Sequence, residues 1–508
     1  MTYPSTLVFV AFAPRTLSWQ DYVLLALYFA LNLGIGWWCA RRKQTSSGDF
    51  FLGGGRVAWW AAALSFFATA TSSIRFMALP ARTYTTDWKS FGSGPAQAFA
   101  GVLVGMVFIE VLRRLKLTTI FGYLDQRFDR RVRLLGAGLG VLLKVGGRMS
   151  VVMLLPSLAL STVTGLNVYV SILLMGTVTT FYAMEGGFEA VVWTDVMQVI
   201  VTYGGVAVAL FFLSRGVDGG LAGVAAAGEA AGKFNTVSWK LTATEPTMWV
   251  FMGMFLAHIF TQLGDQPLMQ RMLATSDARA ARRTVVAGNL IGLTSTVVFF
   301  FVGTALWAFY RAHPERLAEG LPTDAIFPYF MANELPRGVV GLIVAGLFAA
   351  AMGALSSALN STAAILVSDF QLLLRPDTPP DRQVRLARGA TLLCGVVAIG
   401  MAALLAWRGS ASLWDEFLKL TALIGGGFPG VFALGLLTRR ANSRGVFIGA
   451  LGSIAVTWGV QTYSKTSPFL HAAVAIGSCM AIGYVASWLT GGREGKKDLR
   501  GLTLWDAT

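Results

Sequence analysis

Residues 59–84 read WWAAALSFFATATSSIRFMALPARTY, and the architecture follows from how this stretch is read. Its first half has the composition of a membrane helix, with Trp59 and Trp60 leading into alanine, leucine and phenylalanine as far as Ala68. Then the character changes: Thr69, Thr71, Ser72 and Ser73 crowd together, Arg75 follows, and Pro80 closes the segment. Small hydroxyl residues and an arginine halfway through a span are costly in hydrocarbon and must face protein or water. A helix breaks readily in such a segment, freeing carbonyls for a cation and N–H groups for an anion. The stretch reads as the binding helix of a secondary transporter.

The composition around it agrees. Of 508 residues, 55% are hydrophobic and only 13% charged, which excludes a soluble fold in favour of an all-α polytopic membrane protein. Cys39, Cys394 and Cys479 are too few for a disulfide framework. The first apolar run, from Leu7 to Pro14, has no basic segment before it, so no cleavable signal is expected. Apolar runs long enough to cross about 30 Å of hydrocarbon predict thirteen spans: 19–39, 57–83, 90–112, 132–163, 167–184, 188–213, 248–273, 284–309, 338–370, 386–407, 414–436, 445–463 and 467–490.

The net charge of +15 does not point to nucleic acid, because lysine and arginine gather in short loops on alternate sides of the spans. Arg41, Arg42 and Lys43 fall on one side, with Arg113, Arg114 and Lys116, then Arg279, Arg282 and Arg283, then Arg439, Arg440 and Arg444. That side is expected to be cytoplasmic, in a bacterial inner membrane, with the C-terminus on it and the N-terminus outside. The basic segment 121–135, FGYLDQRFDRRVRLL, reads as an amphipathic helix lying against headgroups.

Setting aside the first span and the last two leaves ten, divisible into two groups of five with opposite orientation. The expected organisation is one transporter domain: an extra first helix (19–39), a first repeat (57–213), a second repeat (248–436), two additional helices (445–490) and a cytoplasmic tail (491–508). Each repeat begins with a span interrupted by polar residues, the second carrying His258, Thr261, Gln262, Gly264 and Asp265. Paired interrupted spans at matching positions point to a midplane binding site.

Three stretches carry a family resemblance: FFLGGGRVAWWAAALSFFATATSS from Phe50, the segment from Pro156 to Gln198 that ends in EGGFEAVVWTDVMQ, and GLIVAGLFAAAMGALSSALNSTAAILVSDF from Gly341. Together they resemble the sodium:solute symporter family, which has the inverted-repeat fold of the bacterial leucine transporter. The pairing of Arg148 with Asp195 resembles the sialic acid transporter branch, in which an arginine on this helix holds the substrate carboxylate. The resemblance implies a principal sodium site built from carbonyls at Ala68, Thr71 and Ala350 and completed by two adjacent hydroxyls. Those hydroxyl positions are Gly353 and Ala354 here, so the principal site is expected to be weakened or absent. A second sodium site of that branch would fall on Asp195, Ser356 and Ser357. Coupling would then run through one sodium at Asp195, or through a proton carried there.

Two arginines bear on the solute. Arg148 lies mid-span beside Gly146 and Gly147, and a guanidinium there must find an anion or carbonyls; its planar fork suits a carboxylate. Arg75 stands on the broken helix itself. Two cations at one cavity favour an acidic solute, unless Asp195 or Asp265 neutralises one of them. His258 lies where sugar-transporting relatives use an asparagine, Gln262 is on the same interrupted span, and Gln97 is on the span 90–112 that follows the first broken helix. Ser72 sits where the first broken helix unwinds, beside free N–H groups. The glycines of 138–147 follow no strand and form no nucleotide loop. The tail is too short for a signalling domain, and three histidines scattered along the chain make no enzyme centre.

The reading is a cation-coupled symporter of a small acidic sugar-like solute, with sodium as the ion, the bilayer as its surroundings, and neither a nucleic acid nor an obligate protein partner. A proton-coupled or cation-independent carrier of a neutral sugar, inositol or monocarboxylate remains open at this point.

Overall fold

A computed structural model describes residues 17–42, 44–71, 73–115, 117–321, 323–407, 427–491 and 498–506. Every regular element among them is helical. The expected spans have helical counterparts, from Trp19–Ala40 at the start to Ser443–Tyr463 and Pro468–Leu489 at the end. The span expected at 414–436 is described only from Gly427, where a helix runs to residue 437. The bend anticipated in its glycine-rich first half lies outside the described residues.

The expected spans 167–184 and 188–213 are joined in one 48-residue helical run, Val168–Arg215, which turns at Gly187. That residue has φ 59° and ψ −150°, a conformation open to glycine alone, and a Cβ there would stand 2.8 Å from the Phe50 carbonyl oxygen. The span 132–163 is helical from Arg130 to Thr164 with a π-turn at Lys144–Arg148, the interval where its two charged residues interrupt the hydropathy. Such turns displace the residues that follow and recur at functional sites.

At the centre stands Val339–Ile365. Every residue from Ile343 to Ile365 in this helix is buried, and its run of alanine, glycine and serine lets neighbours approach closely. A Cβ at Gly341 would lie 2.6 Å from the Asp21 Cα, which shows how tightly the first helix is drawn in.

The loops sort into two ends. At one, Arg42 pairs with Glu189, Arg113 donates to the Leu273 carbonyl, Arg133 meets Asp125 and Asp369, and Arg439 donates to the Trp505 carbonyl. This is the end where the sequence concentrates its arginines. At the other, Lys233 donates to the carbonyls of Thr83, Tyr84 and Thr86, and His313 Nε2 lies 2.8 Å from the Gly216 carbonyl.

The segment expected to lie on headgroups is instead built into the protein. It forms two helices, Phe121–Arg127 and Arg130–Leu143, separated by a break at Phe128. Phe121, Tyr123, Leu124 and Arg127 are buried. Arg127 donates to the carbonyls of Gly435, Thr438 and Ala441, and Tyr123 Oη donates to the Leu502 carbonyl. Amphipathic pattern alone does not distinguish a lipid face from a protein face; here the helix C-terminal carbonyls near Thr438 and the returning tail supply the partner.

Candidate functional site

Two helix breaks define the site. Trp59–Ala70 ends at Thr71, whose extended backbone (φ −102°, ψ 102°) separates it from Ser73–Thr85. Met248–Gly264 ends at Asp265, also extended (φ −89°, ψ 100°), before Gln266–Leu273 resumes with Pro267 in its first turn. Proline supplies no N–H and is tolerated there, where a helix has orphan donors anyway. Both interruptions fall in the polar clusters that the sequence singles out, and each exposes helix-terminal carbonyls and N–H groups.

Arg148 bridges the breaks. Its Nη1 lies 3.5 Å from Asp265 Oδ2, and its Nη2 lies 3.5 Å from the Thr69 carbonyl oxygen. Both contacts are at the long limit of hydrogen bonding. The Arg148 side chain is 37% exposed, so its fork is held near the site and still open to another acceptor. The neutralisation of one arginine by Asp265 is therefore realised at Arg148.

Beside it runs a polar network. Arg75 Nη2 donates to Gln97 Oε1 at 2.7 Å, Gln262 Nε2 donates to the Gln97 carbonyl, and the same Nε2 donates to Asn289 Oδ1 at 3.0 Å. Arg75, Gln97 and Gln262 are thus brought together. His258 lies one helical turn before Gln262, and its Nε2 is buried with no hydrogen-bond partner. Ser72 lies outside the described residues. Asn289 was not legible as a member, since an isolated asparagine on a long apolar helix carries no local signal.

For the ion, Ala68, Thr71 and Ala350 line one small cavity with Phe67, Gln198, Val199, Thr202 and Ala349; its volume is about 10 Å³. That is the scale of a single water or a small bare cation. Asp195, Ser356 and Ser357 also come together, but they do not stand alone. The guanidinium of Arg271, wholly buried, is set among them: Nη2 lies 3.2 Å from Asp195 Oδ2 and also donates to Ser357 Oγ, Nε donates to Ser65 Oγ at 3.1 Å, and Nη1 donates to the Pro267 carbonyl at 2.9 Å. Ser356 Oγ and Ser357 Oγ both donate to the Gly353 carbonyl.

Arg271 and Gln198 join the site without having been among the residues expected there. An arginine inside the expected span 248–273 is by itself a signal of a buried function. Gln198 lies three residues after Asp195, on the same helix face. Neither signal reveals the partner, which comes from another part of the chain.

Comparison with known proteins gives concordant results. Residues 50–452 match the model of the sodium:solute symporter family. The sodium/sialic acid symporter NanT of Aliivibrio fischeri is 32% identical over 430 residues, covering 83% of this chain and 84% of that one. The sodium/sialic acid symporter SiaT of Proteus mirabilis is 34% identical over 428 residues, covering 84% and 86%. A solved structure of a Na⁺-coupled sialic acid symporter, substrate-bound and outward-open with a novel Na⁺ site, matches with a TM-score of 0.88 at 32% identity, over 94% of this chain and 99% of that one. The inward-facing structure of Mhp1 matches at a TM-score of 0.55 with 16% identity, a likeness of fold.

Proposed function

The chain belongs to the sodium:solute symporter family, and from that premise we propose that it imports sialic acid or a closely related acidic sugar by alternating access. It is a multi-pass membrane transporter rather than an enzyme, and sodium is its coupling ion.

The observation that carries the solute assignment is the position of Arg148. It lies at the meeting of the two broken helices, with its fork held by one carboxylate and one carbonyl at 3.5 Å each. A solute carboxylate offers two acceptors in the geometry of a guanidinium fork and makes shorter charge-assisted bonds than these. Arg75, Gln97, Gln262 and His258 supply donors and acceptors suited to the hydroxyls and amide of such a sugar. Ser72, in the interrupted segment, is assigned to the same site from the sequence.

The rest of the reading follows the charge pattern and the order of elements. The arginine-rich end faces the cytoplasm of a bacterial inner membrane, which places the N-terminus outside and the C-terminus inside. The ten spans between 57 and 436 form the two inverted repeats, and no obligate protein partner is required.

Calorimetric titration of the purified protein in sodium tests the solute assignment. N-Acetylneuraminate is expected to bind, and its methyl ester, which lacks the carboxylate charge, to bind at least about tenfold more weakly. In Arg148→Ala the difference between acid and ester should vanish. Equal binding of acid and ester by the unmodified protein would contradict the assignment.

A further inference from the structure

We propose that this symporter holds one sodium ion at a rebuilt principal site, in which Gln198 Oε1, Asp195 Oδ1 and Thr71 Oγ1 stand in for the two hydroxyls missing at Gly353 and Ala354, while Arg271 permanently fills the second site. This rests on the reading of sodium as the coupling ion and is independent of the solute.

Three buried oxygens have no hydrogen-bond partner in this region: Thr71 Oγ1, Asp195 Oδ1 and Gln198 Oε1. Their side chains belong to residues that are 4%, 0% and 1% exposed. A buried acceptor left unmatched destabilises the fold by the desolvation of that group, most of all for a carboxylate oxygen. Two of the three are strict acceptors, and the third can accept. A hard cation matches such a set, since it takes several oxygen ligands at once.

Their orientations are imposed from behind. Asp195 Oδ2 receives Ser65 Oγ and Arg271 Nη2, which leaves Oδ1 to the other side. Gln198 Nε2 donates to Asn32 Oδ1 at 3.1 Å and to Tyr182 Oη at 3.4 Å, so its oxygen is turned away from both. Asn32 in turn donates from Nδ2 to the Tyr28 carbonyl, which fixes its own oxygen toward Gln198.

Two of these oxygens, Gln198 Oε1 and Asp195 Oδ1, face the space over Gly353. A Cβ built there would lie 2.9 Å from Gln198 Oε1, 3.2 Å from Asp195 Oδ1 and 3.5 Å from the Ala68 Cβ. A serine at 353 therefore requires the Gln198 amide to move from its present place. Ala68 and Gln198 also line the cavity of about 10 Å³ that contains Thr71 and Ala350. The missing hydroxyl and the incoming amide oxygen are two solutions to one ligand position.

Arg271 explains why the second site adds no further ion. Its guanidinium already takes Asp195 Oδ2 and Ser357 Oγ, and it is anchored by Ser65 and the Pro267 carbonyl. It remains charged at any working pH. A second sodium would meet spent ligands and a fixed like charge.

The test is equilibrium binding of ²²Na⁺ to the purified full-length protein, with choline replacing sodium and no solute present. One ion per protein is expected. Gln198→Met and Thr71→Val should each weaken binding about tenfold or more. Gly353→Ser should also weaken it, and adding Gln198→Ala to Gly353→Ser should recover much of the loss. Melting temperature in choline reports whether each variant folds; Thr71→Val, which keeps its shape and loses no hydrogen bond, decides the matter if Gln198→Met does not fold. Two ions per protein, or unchanged affinity in folded Gln198→Met or Thr71→Val, would overturn the proposal and leave the family's sodium coupling intact. Absence of any sodium binding by the unmodified protein would overturn both.

Discussion

Arg271 and Asp195 form an ion pair, Nη2 to Oδ2 at 3.2 Å, with both side chains completely enclosed. Neither charge has access to water, and the two come from helices far apart in the chain. Breaking a buried pair by removing one partner leaves an uncompensated charge and destabilises by about 3–5 kcal/mol. Arg271→Met should therefore lower the melting temperature strongly, and the double variant Asp195→Asn with Arg271→Met should lose less than Arg271→Met alone. Thermal unfolding of the three proteins checks this; a double variant less stable than the single would show that the pair is not the unit.

Asp265 and a solute carboxylate compete for the same guanidinium if Arg148 is the anchor. Arg148→Ala should weaken N-acetylneuraminate by about 1.5–3 kcal/mol, the range for a hydrogen bond to a charged group. Asp265→Asn should act in the opposite direction and tighten binding severalfold, because the fork no longer leaves a carboxylate to reach the solute. Titration calorimetry in sodium reads both signs, and a weaker Asp265→Asn would place Asp265 among the solute's own contacts.

Gly187 carries the turn between two membrane passes at φ 59° and ψ −150°. An alanine would be strained by its backbone and would bring its Cβ to 2.8 Å from the Phe50 carbonyl oxygen. Gly187→Ala should destabilise by more than about 1 kcal/mol, read as a fall in melting temperature and in yield of folded protein. Gly204→Ala, at a position with open space around it, should be neutral by the same measures.

The fork of Arg127 closes the arginine-rich end by donating to three carbonyls, those of Gly435, Thr438 and Ala441, at 2.7–3.2 Å. Arg127→Lys should not rescue the loss seen in Arg127→Ala, because a compact ammonium cannot span carbonyls arranged for a planar fork. Comparable melting temperatures for the two variants are expected; a lysine variant as stable as the unmodified protein would contradict this role.

Much of this architecture can be read from the chain itself. The apolar runs mark the spans, and the polar clusters at Thr71 and at Asp265 mark where two of them break, because unsatisfied backbone in a membrane needs polar company. The pairing of Arg148 with Asp265 was among the readings the residues allowed. What could not be read is which distant groups meet. Asp195, Ser356 and Ser357 have the oxygen chemistry of a sodium site, and only the fold brings the Arg271 guanidinium into their midst. Likewise, 121–135 has an amphipathic pattern whose apolar face finds Phe432 and the tail rather than lipid. Periodicity tells which face is apolar; it does not tell what covers it.

Sodium-driven import of an acidic sugar is read in a single assay, uptake of labelled N-acetylneuraminate into proteoliposomes. With sodium outside and potassium inside at fixed pH, accumulation above the external concentration is predicted, lost when potassium replaces sodium and lost in Arg148→Ala. Accumulation that is indifferent to sodium, or that survives Arg148→Ala, would contradict it.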